Sequence, residues 1–422
     1  MTTLKHTALH AWHENNGANL VAFGDYHMPM WYDGVKSEHL AVLHSAGLFD
    51  TSHMAVVTVK GTGAFDLLNT CFTRDLNACV GKDNNPISDG RCVYGAFLNT
   101  EGQCIDDAIV YKVQDNDFVV VINAGMGATI AGHLQKNCGD RDATVIDLTD
   151  KVGKFDIQGP NSVKIMEKVI QDPDTAFEKF FYFSFKGHFD PEHPTADQIR
   201  LKDGTPFMLS RSGYTGEVGF EIFIQPEHTE KAWTAIVEAG KELGVTPCGL
   251  GSRDSLRTGA NLPLSHQDIG NWTYINHPWP FALPYNADGS DFTKSFIGSD
   301  TIKAAADTAD TTYTYVGNDL RKIDAHDAKV IDADGNEIGT VLTCATDMGI
   351  GKADGKIFSV ASPEKPEGFK AKGLCCGFFK VNKKLNNGDV VELKDAKRRL
   401  KVTVVPDVRP DRTARKALKH FR

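Results

Sequence analysis

The sequence predicts an α+β fold in several units, closed by a separate all-β unit at its C-terminal end. Three observations predict it. Short strand-type runs are interspersed with apolar stripes at helical spacing as far as about residue 300. From about Tyr313 onward the alternation is β-type only. The chain has 422 residues, 41% of them hydrophobic and 24% charged, which suits several packed cores at ~100–200 residues per domain. The same balance excludes a disordered, collagen-like or coiled-coil chain.

The elements follow in order. Residues 1–54 hold two helix-like stretches separated by FGDYHMPMWY, the second around SEHLAVLHSAGLFD. From Ala55 the runs AVVTVKG, VYGAFLN, IDDAIVYKV and DFVVVIN read as strands, with Gly, Asn and Asp clusters as the turns between them. A helix-like segment runs from after Ile122 through Leu134. GEVGFEIFI reads as a strand with Val218, Phe220, Ile222 and Ile224 on one face and Gly219, Glu221 and Phe223 on the other. HTEKAWTAIVEAGKELG follows as a helix with Trp233, Ile236, Val237 and Leu243 on one stripe. Residues 270–300, rich in Pro, Asn, Trp and Gly, read as a long connection around a site. KVIDADGNEIGTVLT and KKLNNGDVVELKDAKRRLKVTVV read as hairpins turning at DADG and NNGD. The basic end, RPDRTARKALKHFR, is expected as a solvated terminal helix.

The formal net charge of −9 argues against a nucleic-acid binder. No run of 18 or more apolar residues predicts a membrane span, and no N-terminal apolar run predicts a signal peptide, so a cytoplasmic protein is expected. The nine cysteines include no C-x-x-C pair, and Cys375 and Cys376 read as buried thiols. His10 and His13, or His188 and His193, lack carboxylate or Cys partners at helpful spacing, so no metal is expected.

Four stretches are candidates for chemistry. GMGATI (Gly125 to Ile130) follows a strand and opens a helix, but it lacks the third glycine of a dinucleotide loop and sits among antiparallel-looking strands. Asp106 and Asp107 start an otherwise apolar strand, where neighbours point to opposite faces. An inward carboxylate there costs several kcal/mol unless paired, and such positions are enriched in functional sites. A turn-capping Asp pair is the plain alternative. SRSGYTGEVGFEI offers Tyr214 as a flat face with Glu217 and Glu221 four apart. A carboxylate beside an aromatic ring suits a flat nitrogen heterocycle with several N–H donors, such as a pterin; a turn with a solvated Glu is the alternative. CGLGSRDSLRTGANL opens a short helix carrying Arg253, Asp254 and Arg257. There Arg253 is suited to fork onto a carboxylate or brace a loop, and ion pairing with Asp254 or another domain is the structural reading.

Together HTALHAWHENNGANLVAFGDYHMPMWY, EHLAVLHSAGLFDTSHM, GQCIDDAIVY, FDIQGPNS, SGYTGEVGFEI, CGLGSRDSLR and SFIGSD, in this order, resemble the glycine-cleavage T-protein family of folate-dependent aminomethyltransferases. The resemblance implies an α+β, three-domain clover-leaf fold around a central funnel, with a C-terminal β-barrel-like domain. It implies a discontinuous folate-binding domain of residues 1–54 and 148–275 and a ferredoxin-like domain of 55–147. A connection at 276–312, the barrel-like domain at 313–408 and a basic tail at 409–422 complete the chain. It implies Asp106, first in the IDD motif, as the catalytic carboxylate, with Asp107 its solvent-side or structural partner. Glu221 would hold the pterin. Met54, Tyr94, Asn123 and Tyr214 would line the pocket, with Arg253 nearby.

The implied reaction moves a one-carbon unit to N5 of tetrahydrofolate, a co-substrate, from an aminomethyl group on a lipoyl carrier protein. Ammonia leaves, and neither metal nor flavin is needed. Three stretches depart from the family pattern: TGANLPLSHQDIG (Thr258 to Gly270), INHPWPFALPYNADGSDF, and a longer excursion, FKGHFDPEHPTADQIRLKDG, before the SGYTGE segment. They leave room for a tetrahydrofolate-dependent demethylase of a small methylated compound, with Trp272, Trp279, Pro280 and Phe281 shaping its pocket. A non-catalytic folate-binding assembly protein is a third reading, against which Asp106 and Glu221 both speak.

Overall fold

The structure, a computed structural model, describes residues 3–422. Two sheets and a barrel organise it. The first sheet runs in the order Phe185–Lys186, Met208–Ser210, Gly219–Ile224, Gly153–Gln158, Ala46–Asp50, Val245–Cys248. All its pairings are antiparallel except the last, between Val245–Cys248 and Ala46–Asp50. The alternation read from GEVGFEIFI explains how this sheet is covered. Val218, Phe220, Ile222 and Ile224 enter one core with Trp233 and Ile236 of the helix Pro226–Gly240. Phe223, on the other face, enters a different core.

The second sheet is wholly antiparallel, in the order Arg91–Leu98, Cys104–Gln114, Asp117–Ile122, Ala55–Lys60, Thr144–Asp147. The helix Gly127–Lys136 that follows GMGA therefore belongs to an antiparallel sheet and not to a parallel dinucleotide-binding unit. One face of this sheet buries Ala108 and Val110 with Leu67, Leu68, Ile130 and Leu134. The opposite face sets Tyr111, Val113, Val119 and Val121 against Phe185, Met208 and Phe223 of the first sheet. The two sheets thus share a core, and the strand Cys104–Gln114 has one face in that shared core and the other in its own.

Residues 311–404 form a closed six-stranded barrel, ordered Thr311–Val316, Leu374–Val381, Glu337–Asp347, Lys329–Ile331, Val390–Lys394, Arg399–Val404. The DADG turn closes a hairpin as read from the sequence. The second hairpin closes later than NNGD, at Asp395–Arg398. Asn386–Asp389 instead makes a turn that leads into it, with Gly388 at φ +96°.

Long-range polar contacts fasten the barrel to the rest. Asp347 accepts hydrogen bonds from Arg409 Nη1 at 2.7 Å and His39 Nε2 at 3.0 Å, all three side chains being buried. His39 Nδ1 in turn lies 2.7 Å from Ser255 Oγ. The C-terminal stretch is not a solvated helix. Arg409 is 1% exposed, Thr413 Oγ1 donates to Glu217 Oε2 at 2.5 Å, and Leu418 joins the core under the first sheet. Only Leu418–His420 is helical, as one 3-10 turn. The basic composition of this segment misled because Arg409 is spent on the buried carboxylates of Asp347 and Glu217, while Arg412 and Arg422 pair with Asp407, Glu167 and Asp174.

The divergent stretch 258–290 is packed rather than loose. Trp279 is fully buried, lies 5.2 Å from the Phe378 ring of the barrel, and donates through Nε1 to Asn261 O at 2.8 Å. Tyr274, Ile275, Ala282 and Leu283 join it in a core with Ala96 and Leu98 of the second sheet. These aromatic residues build an interface, not a closed pocket; Phe281 alone stands 48% exposed, its ring 5.8 Å from that of Tyr94. No helix among the described residues is long and apolar enough to cross a membrane.

Candidate active site

The strand Cys104–Gln114 carries the first cluster. It pairs Phe97 with Asp106 but Leu98 with Cys104, so Ile105 is an extra residue at a bulge. Such bulges re-aim side chains next to sites. Asp106 shares the face of Ala108 and Val110 and is 0% exposed. Its carboxylate accepts three hydrogen bonds. Asn123 donates from its backbone N–H to Oδ2 at 3.0 Å and from Nδ2 to Oδ1 at 2.8 Å, and Ser265 Oγ donates to Oδ1 at 2.6 Å.

Asp107 faces the other way, on the side of Ile109 and Tyr111, and is only half-buried. Tyr94 Oη donates to its Oδ2 at 2.7 Å and Asn123 Nδ2 to its Oδ1 at 2.6 Å. The expectation names Asp106 as the catalytic carboxylate and Asp107 as its solvent-side or structural partner; the geometry seals Asp106 among three hydrogen-bond donors and leaves Asp107 the more open of the two. The bulge and the identity of the outer core decide which aspartate faces inward, and neither is visible in an I-D-D tripeptide. Burial, reinforced by the charge of Asp106, pushes the Asp107 carboxyl up to about 7. Burial also raises Asp106, against the opposing hydrogen bonds of Ser265 and Asn123.

A second cluster lies across the shared core. Gly216 at φ +77° turns the chain before the strand Gly219–Ile224, and a Cβ at Gly219 would lie 2.5 Å from Ile157 O. That close approach seats Glu221 opposite Asp156 on the neighbouring strand. Glu221 is 5% exposed. Its Oε1 is 2.7 Å from Lys154 Nζ, and its Oε2 accepts from Ser212 Oγ and, at 3.3 Å, from Tyr111 Oη. Lys154 Nζ also binds Asp156 Oδ1 at 2.9 Å and Thr51 Oγ1 at 3.1 Å. Arg253 Nη1 meets Asp156 Oδ2 at 2.9 Å, and its guanidinium lies 4.9 Å from the centre of the Tyr214 ring. Burial opposes the charge on Asp156, but Lys154 and Arg253 outweigh it and hold the carboxyl below its ordinary value.

His53 sits beside this network with Nδ1 buried and without a partner. Burial, with Arg253 and Lys154 nearby, lowers its pKa to about 4 despite Asp50, so the ring is neutral near pH 7. Met54, the next residue, packs with Tyr111 in the shared core. Tyr214 donates from Oη to Pro263 O. Burial raises its pKa, and the charge of Asp107 adds to the shift, so the two clusters are within electrostatic reach of each other.

The structure thus gathers Asp106, Tyr94 and Asn123 at one end, and Glu221, Tyr214 and Arg253 at the other. Asp107 and Tyr111, four residues apart on one strand face, connect them over roughly 13 Å. Glu217 is elsewhere, bound to Thr413 and Arg409. Sequence reasoning missed Lys154, Asp156, Ser212 and Ser265. A lysine and an aspartate alternating along a fully buried strand, K-F-D, were the available signal for the first two. Ser265 comes from the divergent loop, which Arg257 pins through Asp268, itself bonded to Thr343 of the barrel at 2.6 Å.

Arranged this way, the site offers a carboxylate with a raised pKa at one end and a buried, cation-backed carboxylate at the other. Both are hydrogen-bond acceptors for N–H groups of a flat ligand, and the unpartnered nitrogen of His53 and the Tyr214 ring lie beside the second. Residues 9–275 match the family described as the GCVT N-terminal domain. An aminomethyltransferase of Geobacillus sp. is 34% identical over 346 residues, covering 81% of this chain and 86% of its own. One from Caldanaerobacter subterraneus is 36% identical over 270 residues, 64% of this chain and 66% of its own. The crystal structure of the glycine cleavage system aminomethyltransferase T from Bartonella henselae superposes with a TM-score of 0.73 at 25% identity, covering 95% of this chain and 97% of that one.

Proposed function

The chain belongs to the glycine-cleavage T-protein (GCVT) family, and from that premise we propose that it is a tetrahydrofolate-dependent aminomethyltransferase. Its donor is an aminomethyl group on the lipoyl arm of a carrier protein, and its products are methylene-tetrahydrofolate and ammonia. The observation that carries the reading is the pair of carboxylates, Asp107 and Glu221, tied to one strand face by Tyr111.

In this reading Glu221 accepts hydrogen bonds from the ring N–H groups of the pterin. Lys154, 2.7 Å from that carboxylate, holds it in place, so little ordering cost remains on binding. Tyr214 and Met54 supply flat and apolar surface, and Arg253 keeps Tyr214 and Asp156 in place. Asp107 stands at the reacting end. When N5 takes up the donor carbon, positive charge develops there, and a preorganised carboxylate stabilises it and takes up the N5 proton. A pKa near the working pH suits that role. Tyr94 and Asn123 aim Asp107. Asp106 is a positioning residue that holds Asn123 and keeps the pKa of its neighbour high.

The division into residues 1–54 with 148–275, 55–147 and 313–408, joined by 276–312 and followed by the tail 409–422, is part of the same proposal. It is supported by the membership of the two sheets and the barrel. Turnover of the purified chain with tetrahydrofolate tests the function. Methylene-tetrahydrofolate and ammonia from an aminomethyl-lipoyl carrier are expected. Methyl-tetrahydrofolate from a methoxy, methylamine or methylsulfonium compound, with no turnover of the carrier, would overturn it.

A further inference from the structure

Away from that site, three histidines converge near the N-terminal end. His6 precedes the helix His10–Asn15, His10 opens that helix, and His27 lies on the strand Tyr26–Trp31. One ring nitrogen from each lies within 4.8 Å of the others. The His6 and His10 rings stack at 3.5 Å with 3° between planes, and His10 Nε2 is 3.0 Å from His27 Nδ1. The backbone fixes this meeting. Lys5 N–H donates to Asp25 O at 2.7 Å and His27 N–H to Lys5 O at 3.0 Å.

His10 Nδ1 faces Glu14 Oε2 at 3.5 Å. A carboxylate behind a histidine favours the proton on the near nitrogen and leaves the far one free to coordinate.

We propose that His6, His10 and His27 form a three-imidazole site for a divalent first-row cation of the zinc type, with Glu14 orienting His10 from behind. Imidazole ligands suit Zn, Cu and Ni rather than Mg or Ca. Three protein ligands leave one tetrahedral position for water or another small ligand. Tetrahedral zinc at ~2.0–2.1 Å sets ligand nitrogens roughly 3.3 Å apart. His10 and His27 already stand near that separation, and exposed His6, stacked parallel on His10, has to turn its ring so that its in-plane lone pair meets the same point. The bound ion clamps residues 6–10 onto the hairpin 19–31. That hairpin packs against the helix bearing Arg253, where a Cβ at Gly249 would lie 2.3 Å from Met30 C and O. The cation therefore stiffens the support of one wall of the site. His27 stands 17 positions from His10, so no short motif announces the group.

Cobalt titration tests this on the full chain, purified without a polyhistidine tag. A single Co2+ per chain is expected, with visible bands of a four-coordinate ion that Zn2+ abolishes, and Zn2+ is expected to raise Tm. His6→Asn, at an exposed position, and His27→Gln should both lose the bands and the Tm shift while retaining the wild-type circular dichroism. Glu14→Gln should weaken binding by about 10–100-fold. Absence of saturable binding in the wild type, or unchanged spectrum and affinity in either histidine variant, would overturn the site. Unchanged affinity in Glu14→Gln would remove the orienting role.

Discussion

Asp106 and Asp107, adjacent on one strand, present their carboxylates to opposite faces of it, yet both accept hydrogen bonds from the side-chain amide of Asn123. One carboxylate is sealed in the core of the second sheet, and the other opens onto the core that the two sheets share. Their coupling sets the chemistry proposed for the site.

It predicts a pH dependence. Asp107 must be ionised to stabilise the developing charge, and its carboxyl is raised to about 7 by burial and by Asp106. Turnover should rise as pH increases through this value and level off above it. Asp106→Asn removes the neighbouring charge, so Asp107 ionises more readily and the rising limb moves to lower pH. A pH–kcat profile of both proteins checks this; an unshifted limb in the variant would contradict the coupling.

The buried network around Lys154 predicts a stability effect of a different kind. Lys154→Met leaves Glu221 and Asp156 buried without the cation between them, a loss of about 3–5 kcal/mol. Adding Glu221→Gln should restore part of it, because the carboxylate no longer needs a partner. Urea unfolding of the two single variants and the double variant measures the coupling. Folate affinity should fall in every variant that changes Glu221.

At the barrel interface, burial opposes ionisation of Asp347, but the charge of Arg409 and then of His39 holds its carboxyl down to about 2. A depressed folded-state value gives stability that is present above the ordinary 3.8 and lost as pH falls toward about 2. The contribution is about 2 kcal/mol. Asp347→Asn should lower stability at neutral pH and flatten its acid limb between those values, as read by denaturation midpoints.

Trp279→Ala should cost about 3–5 kcal/mol, because the indole fills the core between the second sheet and the barrel. Its effect on turnover should follow the fraction folded. A specific loss of donor recognition in folded protein would instead return the 258–290 stretch to the specificity role read from its sequence.

Much of this was legible in the sequence where a local period met a local need. The faces of GEVGFEIFI, the helix bearing Trp233 and the DADG hairpin follow from alternation and turn chemistry alone. The grouping of Tyr94, Asn123 and Asp106, and of Tyr214, Glu221 and Arg253, came through family resemblance, since their contacts span strands and units. What stayed hidden depends on register and on distant partners. The bulge at Ile105 decides which aspartate is open. Lys154 meets Glu221 only because two strands pair in one register. The C-terminal arginines read as solvent-facing until Asp347 and Glu217 are seen to receive Arg409.

The most direct test is single-turnover transfer from an aminomethyl-lipoyl carrier to tetrahydrofolate by Asp107→Asn, with folate affinity measured on the same protein. We expect transfer to fall by about 10²–10⁴-fold while the folate Kd stays close to the wild-type value. Wild-type transfer in Asp107→Asn, with transfer abolished instead in folded Asp106→Asn, would contradict the assignment and return the reacting role to the buried aspartate.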